Sequence, residues 1–278
     1  MIQLFHDVSK QCSRITTERY STSFSSAIKL LHRDLRQPIY NIYGFVRFAD
    51  EIVDTFHEYD KKYLLQLFKT ETYDAIERKI SLNPILHSFQ LTVNEYKIDL
   101  KLIDAFFTSM ELDLDNKAYD ANAYREYIYG SAEVVGLMCL YIFCEGNENL
   151  FQVLKEPAQA LGSAFQKVNF LRDVKADYQH LSRTYFPEVD FHNFTALNKQ
   201  QIEDDIQADF AKAWDGIISL PVKARFGVYV AYKYYLSLFR KIKKSQPAVL
   251  FEERIRIPNY SKLFIIMRAG LRSQLNLF

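Results

Sequence analysis

Apolar residues recur along most of this chain at spacings of three and four, the period of an amphipathic helix. The segments with this pattern are each about 15 to 25 residues long, and they cover 9–32, 36–56, 60–80, 99–114, 121–145, 156–180, 199–219, 221–245 and 259–275. Strand-like alternation is scarce, and 278 residues contain only 8 glycines and 7 prolines. The pattern predicts an all-α fold.

The breaks between these segments are short and fall at "RQP", "SLNP", "EGNEN", "KEP" and "LPVK". Short connections are typical of helices packed side by side, and 49% hydrophobic residues suffice for a large core. We therefore predict one bundle-like domain over residues 1–278. The exception is 182–198, a long loop that is either functional or a simple surface crossover.

Composition narrows the class of protein. The 35 basic and 34 acidic residues nearly cancel, so no overall field favours nucleic acid as a partner. Cys12, Cys139 and Cys144 match no metal spacing and suit reduced thiols in a cytoplasmic protein. The first residues lack the apolar core of a signal peptide, and no run reaches ~18 apolar residues. We expect a cytoplasmic protein that does not span a membrane.

Two further features leave alternatives open. The chain has 22 Phe and 19 Tyr residues, which either pack the core or wall a large apolar cavity. The last segment, within 259–278, is basic and amphipathic. It either docks on the bundle as an ordinary terminal helix or rests on a membrane surface, which would make the protein peripheral to the inner face of the membrane.

Acidic residues occupy one face of each of two otherwise apolar helices. On a helix that turns about 100° per residue, one narrow arc of the segment "FVRFADEIVDTF" and its preceding turn holds Tyr43, Arg47, Asp50 and Asp54. In "AFQKVNFLRDVKADY" a similar arc holds Gln166, Asn169, Asp173 and Asp177. Apolar positions flank both arcs, so we interpret them as inward-facing rather than as two solvated helix faces.

Four carboxylates in an apolar setting repel each other and lose hydration, at a cost of several kcal/mol per ion. A positive group must therefore join them. Oxygen ligands without His or Cys suit a hard divalent cation, and Mg²⁺ is often held by carboxylates together with substrate phosphates. The pattern favours a magnesium site that receives a phosphate-bearing substrate.

Five stretches, in this order along the chain, resemble the motifs of the squalene and phytoene synthases, which condense prenyl diphosphates head to head. They are "YSTSF" at 20–24, "FVRFADEIVD", "YIYGSAEVVGLM" at 127–138, "QKVNFLRDVKAD" and "RTYFP". The resemblance implies a single all-α isoprenoid-synthase domain with a central cavity. It also implies that the two aspartate motifs face each other across the mouth of that cavity.

The resemblance assigns roles to individual residues. Mg²⁺, or Mn²⁺ in its place, would be held by Asp50, Asp54, Asn169, Asp173 and Asp177. Catalysis would use the four aspartates with Tyr43 and Arg47. The substrate-binding set would be Tyr20, Ser21, Ser23, Phe24, Arg47, Tyr127, Ala132, Gly136, Gln166, Asn169, Arg172, Arg183 and Tyr185.

These implied roles have a chemical basis. Arginines such as Arg47 and Arg172 grip phosphate oxygens bidentately, while the Tyr20, Ser21 and Ser23 hydroxyls bind one diphosphate. Arg183 and Tyr185 lie on the loop that would close over the site, and Gln166 lies near the reacting diphosphate. Aromatic faces at Phe24, Tyr43 and Tyr127 stabilise carbocations by about 0.5 to 2 kcal/mol each. Ala132 and Gly136 leave room for a prenyl chain.

Four positions depart from the family pattern. Lys175 and Ala176 stand where Gly-Glu is usual, and Ser131 and Glu133 replace the commoner Val and Gly. None of them is a proposed metal ligand. Glu133 makes the cavity more polar unless it points outward or caps a backbone group.

In the family, two substrates form a cyclopropyl diphosphate, which rearranges and then either loses a proton or takes hydride from NADPH. The residues of "ADEIVD" and "VVGLM" most resemble the corresponding segments of bacterial phytoene synthases. We therefore predict a transferase that makes phytoene from two geranylgeranyl diphosphates without NADPH. The alternatives are a squalene or dehydrosqualene synthase that uses farnesyl diphosphate, a non-catalytic prenyl-lipid carrier, and a membrane-surface scaffold.

Overall fold

The computed structural model describes residues 1–115, 119–180, 185–187, 189 and 193–274. Its α-helices are α1 Ile2–Tyr20, α2 Thr22–Ile28, α3 Arg33–Asp54, α4 Lys61–Arg78, α5 Pro84–Tyr96, α6 Leu100–Asp115, α7 Ala121–Ile128, α8 Val134–Cys144, α9 Glu148–His180, α10 Ala196–Ser219, α11 Val222–Lys244, α12 Val249–Glu252 and α13 Asn259–Gln274. A π-helical turn, Tyr129–Glu133, joins α7 to α8. These ranges contain no strand, which confirms the all-α prediction.

The helices differ from the predicted segments in two places. Residues 9–32 do not form one helix, because Ser21 adopts an extended conformation and caps α2 by accepting a hydrogen bond from the backbone N–H of Phe24. Helix α5 was not predicted. Its buried residues include polar ones such as Ser88 and Gln90, which interrupt the apolar pattern. The break at "SLNP" is confirmed, since Asn83 caps α5 and Pro84 is its first residue.

Two predicted breaks at prolines are wrong. Helix α3 continues through Pro38 and α9 through Pro157, although each proline removes one backbone hydrogen bond. The ring of Pro157 packs against Gly216 of α10, where it leaves no room for a side chain. The breaks at "EGNEN" and "LPVK" are confirmed, because helices end and begin there.

Among the described residues, the core consists of two hydrophobic clusters. The first joins α3, α5, α6 and α8 around stacked rings, with the centroids of Phe45 and Phe89 only 3.9 Å apart. The second joins α9, α10 and α11 around Phe210, Tyr229 and Phe239. Within the described residues, the continuous helix Ala121–Cys144 is long and apolar enough to cross a membrane, but 56% of its most apolar stretch is buried inside the protein. That burial is typical of a core helix.

Candidate active site

An elongated cavity of about 470 Å³ is lined by residues of both hydrophobic clusters. Along α9 its lining changes from Leu154 and Leu161 to polar side chains that end at Arg172. At 1.5 Å per residue this wall is about 27 Å long. Along α3 the lining likewise changes from Ile39 to Asp50. The cavity therefore has an apolar body and a polar end.

Many of the predicted site residues meet at this cavity. Those on its wall are Tyr20, Ser21, Phe24, Tyr43, Arg47, Asp50, Ala132, Gly136, Gln166, Asn169 and Arg172. They come from four separate parts of the sequence, which the helix packing brings together. Their individual roles stay predictions.

Asp50 lies at the polar end of the cavity. Its Oδ2 atom lies 3.9 Å from Nη1 of Arg47, which also pairs with Glu51. The Asp50 side chain is 32% accessible because it faces the cavity, but it lies well below the protein surface. Burial first, and then the charge of Asp54, raises the pKa of Asp50 to about 7 against the opposing effect of Arg47. Asp54 itself is not on the cavity wall.

Asp173 is neutralised by two arginines. Nε of Arg172 donates to its Oδ1 at 3.0 Å, and Nε of Arg254 lies 2.7 Å from the same oxygen. Both arginines line the cavity, while Asp173 is not on its wall. The backbone of Asp177 belongs to α9, but its side chain lies outside the described residues, and so does Arg183 altogether.

The predicted metal ligands do not form a complete cluster in the described part of the chain, where no three His, Cys, Asp or Glu side chains are placed to hold one ion. One feature nevertheless fits a cation. Oδ1 of Asn169 is buried on the cavity wall and has no hydrogen-bond partner among the described residues. An amide oxygen and the Asp50 carboxylate are the donor types that Mg²⁺ prefers.

Tyr127 and Tyr185 do not line the cavity, contrary to the predicted cavity-wall role of Tyr127. Both are buried with Tyr119 around Asp113, whose carboxyl group accepts hydrogen bonds from their three hydroxyls at 3.0 to 3.4 Å. The ring of Phe170 stacks on Tyr185 with centroids 4.0 Å apart. Asp113 also raises the pKa of Asp50, so this cluster is electrically coupled to the cavity.

Sequence reasoning missed Asp113, although a usable pattern existed. It lies three residues after Met110 and seven after Phe106, both of which are buried, so it falls on the core face of α6. The helical-arc argument that selects Asp50 also selects Asp113.

Sequence reasoning also missed a group of basic residues, Arg254, Arg256 and Lys262, that line a second cavity. This cavity of about 490 Å³ adjoins the first and shares Tyr20, Ser21, Arg172 and Arg254 with it. Ser23, like Arg256 and Lys262, lines this second cavity. The cations come from "RIRIP" and from the start of α13, both far from the aspartate motifs in sequence.

Two pairs of stacked aromatic rings line the first cavity. Phe24 stacks on Tyr43 with centroids 5.3 Å apart, and Phe165 stacks on Tyr235 at 3.8 Å. Burial raises the pKa of the Tyr43 hydroxyl to about 12, so it stays protonated at neutral pH. These rings present π faces and no ionised group.

Two of the four departures from the family pattern have local explanations. The Glu133 carboxylate is not on the cavity wall and accepts a hydrogen bond from Nε2 of Gln159 at 2.9 Å. Lys175 donates to the backbone carbonyl of Glu252 at 2.7 Å and so ties α9 to α12. Ser131 does line the cavity, and its buried Oγ has no partner among the described residues. The side chain of Ala176 lies outside those residues.

Comparison with known proteins identifies the family. A family model described as "Squalene/phytoene synthase" matches residues 17–261. The phytoene synthase of Arthrospira platensis is 25% identical over 95% of this chain and 92% of its own. The 4,4'-diapophytoene synthase of Staphylococcus haemolyticus is 26% identical over 73% of this chain and 71% of its own. A crystal structure of a dehydrosqualene synthase superposes with a TM-score of 0.83, at 21% identity and 98% coverage of both chains. The chain therefore belongs to the squalene/phytoene synthase family, the transferases of isoprenoid biosynthesis that join prenyl diphosphates head to head.

Proposed function

We propose that this protein is a Mg²⁺-dependent phytoene synthase of carotenoid biosynthesis that condenses two geranylgeranyl diphosphates. One observation supports this most strongly: the same cavity combines a long apolar body with a polar end that contains Asp50, Arg47 and Arg172. A prenyl diphosphate has the same division, with an apolar tail and an anionic head. The cavity thus matches the substrate class along its length.

The metal ligands in this proposal are Asp50, Asp54, Asn169, Asp173 and Asp177. The unpartnered Asn169 oxygen favours binding of a cation, which would also offset the negative charge of Asp54 that, after burial, raises the pKa of Asp50. A bound Mg²⁺ would neutralise the negative charge that grows on the departing diphosphate.

The arginines of the polar end take a complementary role. The guanidinium groups of Arg47, Arg172 and Arg254 line the cavity and are suited to bidentate contacts with phosphate oxygens. The ring of Tyr20 lies 4.5 Å from the guanidinium carbon of Arg47 and limits its orientations. These residues hold the diphosphate in place while its bond to the allylic carbon breaks.

The apolar body of the cavity protects the allylic carbocation that remains after the diphosphate leaves. The faces of Tyr43, Phe165 and Tyr235 stabilise positive charge without supplying a nucleophile. Cys139 also lines the cavity, but burial raises the pKa of its thiol to about 12, so it stays neutral. The walls therefore exclude water and present no ionised nucleophile beside the prenyl chain.

In the proposed reaction, one substrate ionises and releases its diphosphate, and the double bond of the second substrate captures the allylic cation. Loss of a proton then closes the ring and gives a cyclopropyl diphosphate. This intermediate ionises, rearranges and loses a proton to give phytoene. NADPH is not required, because the last step is loss of a proton rather than gain of hydride.

A second candidate is a C30 product from two farnesyl diphosphates. The names of two similar proteins, 4,4'-diapophytoene synthase and dehydrosqualene synthase, favour it.

The test is to incubate purified protein with Mg²⁺ and either geranylgeranyl or farnesyl diphosphate, with and without NADPH, and to identify the hydrocarbon by mass spectrometry. We expect phytoene from the longer substrate, independent of NADPH. A C30 hydrocarbon alone would overturn the phytoene assignment and keep the family chemistry.

A further inference from the structure

Helix α13 carries an apolar stripe on its outer face. The residues of this stripe are Tyr260, Leu263, Phe264, Met267 and Leu271, and each is between 54% and 76% exposed. Their spacings of three and four place them within an arc of about 100° on the helix. Five large apolar side chains on one exposed surface are unusual for a face that contacts only water.

The opposite face of α13 already packs on the protein. Ala269 is buried in the second hydrophobic cluster, and Ile265 and Ile266 pack against it. Lys262 adds a hydrogen bond to Thr22 of α2 at 3.0 Å. The outer stripe is therefore not the docking face of a terminal helix, since a different set of residues serves that purpose.

Cations lie along one side of the stripe. Arg268 and Arg272 lie on its flank and are exposed, and Arg240 of the adjacent α11 is exposed near them. They act on Lys233, whose ammonium group lies 5.1 to 5.3 Å from the ring centroids of Trp214, Tyr229 and Tyr232. Among the described residues, the charges that perturb Lys233 are all positive. The surface is both apolar and strongly basic.

We propose that α13 docks on a bilayer containing anionic phospholipids, with Leu263, Phe264 and Met267 entering the interface and Arg268 and Arg272 contacting lipid phosphates. Apolar residues flanked by arginines are the chemistry of a helix that lies in the plane of such a surface. A twofold contact between two copies would bring these basic clusters face to face, which disfavours dimerisation here. The proposal does not depend on the product of the enzyme.

The test is vesicle flotation of the full chain at low and moderate salt. The vesicles consist of phosphatidylcholine, alone or with about one-third phosphatidylglycerol. We expect binding to the anionic vesicles that weakens as salt increases. A Leu263→Ser/Phe264→Ser/Met267→Ser variant should lose roughly tenfold or more in affinity. An Arg268→Gln/Arg272→Gln variant should lose about tenfold, on the anionic vesicles only.

Matched controls change residues elsewhere that are at least as exposed. Leu82→Ser/Val153→Ser/Val222→Ser and Lys101→Gln/Lys155→Gln should bind as the wild type does. Circular dichroism and thermal unfolding establish that every variant is folded. Absence of wild-type binding, or equal binding by the stripe variant and its control, overturns the proposal. So does concentration-dependent dimerisation in sedimentation that the stripe variant abolishes, because the surface would then contact a second copy.

Discussion

Nε of Arg254 lies 2.7 Å from Oδ1 of Asp173, which connects the segment after α12 to the second aspartate motif. Nε of Arg172 donates to the same oxygen at 3.0 Å. A cation that binds Asp173 must therefore compete with two guanidinium groups. Since both arginines line the cavity, they are placed to move from the carboxylate to an incoming diphosphate.

Replacement of Arg254 by Gln should have opposite effects on two ligands. The affinity of the free protein for Mn²⁺ should rise by up to about fivefold, because a half-exposed ion pair is worth roughly 0.2 to 1 kcal/mol. The affinity for inorganic diphosphate should fall, because a bidentate donor is lost. Isothermal titration calorimetry measures both. Arg256→Gln is the control, and unchanged Mn²⁺ affinity in Arg254→Gln would contradict the competition.

Asp113 should stabilise the fold beside the cavity. An Asp113→Asn substitution leaves some of three buried tyrosine hydroxyls without a good acceptor, so we expect a loss of about 1 to 3 kcal/mol in the free energy of unfolding. Urea denaturation measures this loss. Asp74→Asn on the exposed face of α4 should change stability by less than about 0.5 kcal/mol. Equal stabilities of the two variants would show that the tyrosine cluster contributes nothing.

Gly162 should be required for the close packing of α9 against the π-helical turn. A Cβ atom there would lie 2.7 Å from the carbonyl oxygen of Ala132 and 3.0 Å from Cα of Glu133. Gly162→Ala should therefore cost about 1 to 3 kcal/mol of unfolding free energy. Gly270→Ala, where nothing lies within 4 Å, should instead gain about 0.5 to 1 kcal/mol from helix propensity. A neutral Gly162→Ala in thermal unfolding would contradict this packing.

His87 should make stability depend on pH. The backbone N–H of Ser81 donates to Nδ1 of His87, which leaves Nε2 of His87 to donate to Nδ1 of His6 at 2.7 Å. Burial, and then His6, lowers the pKa of His87 below its ordinary 6.5. The unfolded chain therefore takes up this proton first, so the stabilising contribution is complete above pH 6.5 and is lost as the pH falls through the lowered folded-state pKa.

The check compares urea unfolding of the wild type and His87→Gln at about pH 7.5 and about pH 5.5. The wild type should lose more free energy of unfolding than the variant over this range. An identical pH dependence in both proteins would exclude His87 as the titrating group. The comparison of slopes holds even if His87→Gln lowers stability at both pH values.

Periodicity predicted the helices wherever one face is apolar and the other polar, as in α4 and α11. It failed for α5, because buried polar residues such as Thr92 and Gln90 form hydrogen bonds inside the core and resemble a solvated face in sequence. It also failed at Pro38 and Pro157, because tertiary packing outweighs one missing backbone bond. Such contacts depend on other helices and cannot be predicted from a short stretch of sequence.

The candidate site was likewise predictable only in part from the sequence. Helical arcs and motif order placed Asp50, Asn169 and Arg172 correctly on one cavity. They could not show that Asp173 is bound by Arg254, because the partner lies 81 positions away. Nor could they place Tyr127 and Tyr185 behind the wall rather than on it, since that depends on the acceptor offered by Asp113.

The most direct test of the central claim is the release of diphosphate by purified wild-type protein from geranylgeranyl diphosphate, measured together with the hydrocarbon formed. We predict Mg²⁺-dependent release of two diphosphates for each hydrocarbon. Asp50→Ala should show no turnover although its helical circular dichroism is unchanged, while Asp74→Ala should be active. No release from the wild type in the presence of Mg²⁺, with the prenyl diphosphate bound intact, would contradict the account and indicate a lipid carrier.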